Sequence, residues 1–133
     1  IVLEQVIEVD VDIKPGSDPN ALNVNSKGVL PVAILGTEQF DVMTVAPGTL
    51  KLEYERGIVA PLRWAYEDVN RDGFMDLGLK FDKQALTALT LTREPDGAEV
   101  MLRLTGNLMK EYDGTAIAGE DVVVIINKLP DGP

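Results

Sequence analysis

Apolar and polar residues alternate with a period of two along most of the chain. Ile7, Val9, Val11 and Ile13 fall on one side and Glu8, Asp10 and Asp12 on the other, the pattern of a strand with one dry and one wet face. The same alternation sets Leu50, Leu52 and Tyr54 against Lys51, Glu53 and Glu55, and Leu77, Leu79 and Phe81 against Gly78, Lys80 and Asp82. It returns in Ala98, Val100, Leu102 and Leu104 against Glu99, Met101 and Arg103. Two runs, Val29 to Leu35 and Val122 to Ile126, are apolar throughout and predict central strands covered on both faces. Pro31 inside the first predicts a bulge or an edge position, because proline cannot donate to a ladder. Turn pairs such as Pro15-Gly16, Pro47-Gly48, Asp72-Gly73, Asp96-Gly97 and Asp113-Gly114 separate the runs. The segment Asp82 to Leu91 fits either a short helix or one more strand. About seven to nine short strands at this spacing predict an all-β sandwich, of jelly-roll or immunoglobulin-like topology.

With 133 residues, 45% of them hydrophobic and 26% charged, the chain is long enough to bury a core as one globular domain. We expect that domain over residues 1–127, with residues 128–133 as a linker or tail. The opening strand-like segment and this tail predict an excised module of a longer exported protein, its signal lying upstream. No apolar run approaches the roughly 20 residues of a membrane helix, so membrane insertion is not expected.

Absent residue types narrow the chemistry further. There is no His and no Cys, which removes the usual general base, the Ser/His and Cys/His nucleophilic pairs, zinc and copper ligands and disulfides. A net charge of −10, from 22 acidic and 12 basic residues, repels phosphate backbones and attracts divalent cations, so nucleic acid is not an expected partner. Paired carboxylates can cleave a glycosidic bond, but a glycosidase normally needs an aromatic-lined cleft, and aromatics are only 5% here. We therefore expect no catalysis.

One segment carries positive chemistry. Asp68-Val69-Asn70-Arg71-Asp72-Gly73-Phe74-Met75-Asp76 places oxygen side chains at alternating positions, with glycine after the third. A chain wrapped round a hard cation needs this: alternate residues turn inward, and glycine permits the reversal that brings the next carbonyl into the shell. The expected ligands are the side chains of Asp68, Asn70, Asp72 and Asp76 and the carbonyl of Phe74. An EF-hand would need a bidentate Glu at the twelfth position, which here is Leu79 in an alternating strand. The loop instead resembles those joining strands in FG-GAP propeller repeats and those of the calcium-binding thrombospondin repeats. Calcium is expected over magnesium, which prefers a smaller octahedral shell rich in water. The plainer alternative is an acidic turn whose Asp and Asn satisfy local backbone donors.

Three other groups have a plain reading and a functional one. Glu8, Asp10 and Asp12, with Asp18 or Asn20, are weighed as a second cation site against a solvated strand face, and the face is preferred. Asp113, Glu120 and Asp121 are assigned to turn chemistry on the same reasoning. Leu62, Trp64 and Tyr66 alternate just before the acidic loop. They suit either a sugar-stacking platform or a core face, and the core is expected because Arg63 and Glu67 fall on the other side.

A family resemblance spans nearly the whole chain. Val11-Asp12-Ile13-Lys14-Pro15-Gly16-Ser17-Asp18-Pro19-Asn20, Ser26-Lys27-Gly28-Val29-Leu30-Pro31-Val32-Ala33-Ile34-Leu35-Gly36-Thr37 and Phe40-Asp41-Val42 resemble a recurrent accessory module of large secreted bacterial and archaeal proteins. Leu104-Thr105-Gly106, Asp113-Gly114-Thr115 and Gly119-Glu120-Asp121-Val122 fit the same pattern. The resemblance implies an exported domain lying beside proteases, other enzymes or anchoring segments, with no activity attached to it. Many members carry cysteines in the Pro-Gly-Ser turn and the acidic loop; here Asp18 stands at one such place. The expected function is a non-catalytic calcium-binding accessory domain of a secreted or cell-surface protein, stabilised by the ion. The alternative is a carbohydrate-binding module of a polysaccharide-degrading enzyme. Expected partners are flanking domains of the same polypeptide, a polysaccharide or another surface protein.

Overall fold

A computed structural model describes residues 5–17, 19–55, 57–87 and 93–128. Among the described residues ten strands follow one another: β1 Val6–Glu8, β2 Asp10–Ile13, β3 Ala21–Asn23, β4 Val29–Leu35, β5 Val45–Tyr54, β6 Gly57–Val59, β7 Arg63–Glu67, β8 Asp76–Asp82, β9 Glu99–Leu108 and β10 Ala116–Ile126. They form two sheets. One runs β1-β10-β9-β5-β6 with β3 also paired to β10, and the other runs β2-β4-β8-β7. The inward side chains of the two sheets make a single core, with Ile13, Leu30, Ile34, Leu77, Leu79 and Phe81 fully buried on the four-stranded side. Leu50, Leu52, Leu102 and Ile125 meet them from the other sheet. The all-β sandwich predicted from alternation is the fold observed.

The first alternating run divides between the sheets. β1 pairs in parallel with β10, the Val9 amide donates to Ala118 at 2.9 Å, and β2 then pairs with β4. Splitting one run into β1 and β2, together with the short β3 and β6, takes the count above the nine expected.

Pro31 lies in the interior strand β4, which keeps regular register with β8 from Val29 to Ile34, so neither a bulge nor an edge is present. The Pro31 carbonyl accepts the Lys14 amide at 2.8 Å, so its nitrogen faces the side where β2 has just ended at Ile13. The missing N–H therefore costs no ladder bond. The segment from Asp82 begins a short helix, α1, at Lys83–Thr87. Residues 88–92, like Asp18 and the tail at 129–133, lie outside the described residues. Among the described residues, no helix is long and apolar enough to cross a membrane.

Candidate metal centre

The acidic loop connects β7 to β8, whose last register pair is Glu67 with Asp76. Asp76 opens β8 and is fully buried, the one buried charged residue among the described residues. Burying a carboxylate demands donors, and two backbone amides supply them. Gly36 N–H donates to Oδ1 and Val69 N–H to Oδ2, each at 2.8 Å. Asp68 accepts the Asp72 amide at 3.2 Å and the Gly73 amide at 2.9 Å. Asp72 accepts the Phe74 amide at 2.9 Å. Left-handed backbone at Arg71 (φ 57°) and Gly73 (φ 90°) supplies the reversal this wrapping requires.

The outcome is a cluster of three carboxylates, Asp68, Asp72 and Asp76, each with an oxygen within 4.8 Å of the others. Backbone donors fix all three side chains before any ligand arrives. Ionised carboxylates this close repel one another, and a divalent cation between them would relieve that repulsion. The donor set is all oxygen, which suits a hard cation and not a thiophilic one. Asn70 is exposed in the same loop, between Asp68 and Asp72, and the Phe74 side chain is likewise exposed. Leu79 points into the core, as its place in an alternating strand predicts.

Gly36 is the residue that sequence inspection misses. It lies forty positions from Asp76 in the chain, yet it holds one of that carboxylate's oxygens. A Cβ built on Gly36 would sit 2.0 Å from the Met75 carbonyl oxygen, so the end of β4 presses against the loop backbone. Nothing local in Leu35-Gly36-Thr37 announces this contact.

The other acidic groups separate differently. Asp121 Oδ2 accepts the Ile13 amide at 2.9 Å and the Asn20 side-chain amide at 3.0 Å, fastening β2 to β10. Asp12 lies nearby, and burial together with the charge of Asp121 raises its carboxyl above the ordinary 3.8. A raised folded pKa means that stability is fully present below the unfolded pKa and is lost as pH rises through the folded one. Asp12→Asn is therefore expected to raise Tm modestly at pH 7, with the advantage gone near pH 3. Parallel melts of the two proteins at both pH values measure it.

The expectation for Trp64 is overturned. Leu62, Trp64 and Tyr66 are 57%, 45% and 37% exposed. Trp64 pairs with Leu79 and Tyr66 with Leu77, so both rings lie on the side of the sheet that faces the core. But β7 is an edge strand, every residue of it exposed, and the opposing sheet does not cover it. Alternation identified the face correctly; it could not reveal that the strand overhangs.

No family model, curated protein or solved structure matches the chain.

Proposed function

We propose that this chain is a non-catalytic accessory domain of a secreted or cell-surface protein, and that its β7–β8 loop binds one calcium ion that stabilises the fold. The observation that carries this reading is the cluster of Asp68, Asp72 and Asp76, three carboxylates within 4.8 Å, each already oriented by backbone amides. Asn70 and the Phe74 carbonyl complete the proposed ligand set. A site of this size suits millimolar extracellular calcium better than submicromolar cytosolic calcium, which is the basis for the proposed location. Calorimetric titration of chelator-treated protein tests it. One calcium per chain, lost in Asp72→Ala, is expected; heat-silent titrations of both proteins would reject the reading.

A second reading, a carbohydrate-binding module, is favoured by the exposure of Trp64 and Tyr66. Two rings two residues apart on one strand stand roughly 7 Å from each other along it, a spacing that lets a sugar chain lie across both. The intrinsic fluorescence of Trp64, the sole tryptophan, reports binding directly. Quenching is expected with soluble xylan or β-glucan. Trp64→Ala should abolish retention on those polymers while changing stability by less than about 1 kcal/mol, since an exposed ring loses little packing.

A further inference from the structure

The outer face of the four-stranded sheet carries a groove of about 400 Å³ that the metal loop borders but does not fill. A smaller recess of about 90 Å³ continues it over β7, sharing Glu67, Gly78 and Lys80. Its floor is one transverse register row of small residues, Ala33 on β4, Gly78 on β8 and Ala65 on β7. Three strands span roughly 10 Å, the width of one or two sugar rings. On one flank stand Lys80 and Arg63; on the other stand Glu67 and, from the loop, Arg71.

Two features of this groove have no explanation in the fold. The first is Gly78. Glycine inside a strand costs stability and usually marks a bulge, a tight bend or the close approach of a ligand or another backbone. Here the register is regular on both sides, and Gly78 is not among the residues with positive φ. A Cβ would meet only the Ala65 carbonyl at 3.5 Å and a Glu67 oxygen at 3.7 Å, both ordinary contacts. An alanine would fit, so the fold does not require the glycine. The second feature is the pairing of Arg63 directly opposite Lys80, like charges whose juxtaposition across strands is unfavourable. Among the described residues, no acidic side chain pairs with Arg63, Lys80 or Arg71. In a protein of net charge −10, Arg63, Lys80 and Arg71 outnumber the two carboxylates that line the groove, Glu67 and Asp68.

We propose that this groove binds an acidic sugar, its carboxylate held between Arg63 and Lys80 and its hydroxyls donating to Glu67, with Gly78 leaving room for the ring. An anion relieves the like-charge pair, and Glu67 can only accept, so the complementary ligand carries both an anionic group and hydroxyl donors. This deepens the carbohydrate reading and rests on it for the ligand class, but it does not use Tyr66, and Trp64 borders only the smaller recess.

Calorimetric titration with tri-galacturonate and with a neutral xylo-oligosaccharide, in calcium buffer, tests the proposal. The wild type should bind the acidic probe. Arg63→Gln combined with Lys80→Gln should weaken that binding at least about tenfold, the loss of one charge-assisted contact. Gly78→Ala should weaken it while Tm holds or rises, which separates lost space from lost fold. Tyr66→Ala, at a residue that lines neither the groove nor the recess, should leave it intact. Three outcomes overturn the proposal: no binding of tri-galacturonate, acidic binding that survives the double variant, or acidic binding that Gly78→Ala leaves unchanged. If the neutral probe alone binds, and binds through Trp64, the groove is rejected while the carbohydrate reading stands. If neither probe binds, both fail.

Discussion

Gly36→Ala is expected to destabilise the protein by about 3–4 kcal/mol, a large fraction of the total stability of a domain this size. The added Cβ would fall 2.0 Å from the Met75 carbonyl oxygen, a backbone atom that cannot move aside like a flexible side chain. Either β4 or the loop must shift, and overpacking of this kind costs about 1–3 kcal/mol. The shift also lengthens the 2.8 Å bond from Gly36 N–H to Asp76, leaving a fully buried carboxylate short of a donor, for about 1–3 kcal/mol more. Because the same movement displaces Asp76 from Asp68 and Asp72, calcium affinity should fall with stability. Urea unfolding at fixed calcium measures the first effect. A variant as stable as the wild type would show that the strand and loop are not locked together.

How much of this was legible in the sequence depends on whether its cause is local. The sandwich was, because period-two burial is written residue by residue; Leu77, Leu79 and Phe81 are buried as their alternation requires. The turn chemistry of the acidic loop was legible for the same reason, since Asp68, Asp72 and the amides they accept lie within one short segment. What sequence inspection missed depends on distant neighbours. Gly36 matters through a residue forty positions away. Trp64 is exposed because of where β7 falls in the strand order, and the order is set by pairings the pattern does not encode. Pro31 sits in an interior strand only because β2 stops one residue short of it. Asp12 and Asp121, treated as members of separate acidic groups, meet because the first run changes sheets between β1 and β2.

Calcium should raise Tm by about 10 °C. Binding to the folded state alone contributes RT ln(1 + [L]/Kd), about 2.7 kcal/mol when free calcium is a hundredfold above Kd. For a chain of this length each kcal/mol moves Tm by roughly 3–4 °C. Without the ion, three carboxylates within 4.8 Å face one another across the hairpin, held only by backbone amides. Asp72 is the member to remove, since it is exposed and accepts the Phe74 amide, so Asp72→Ala deletes a proposed ligand without opening the core. Differential scanning calorimetry of the wild type and Asp72→Ala, each in millimolar calcium and in excess chelator, is the decisive measurement. The expected result is a calcium-dependent rise in the wild type that is absent in Asp72→Ala. Superimposable wild-type melts in calcium and in chelator would contradict the account and leave the loop an acidic turn.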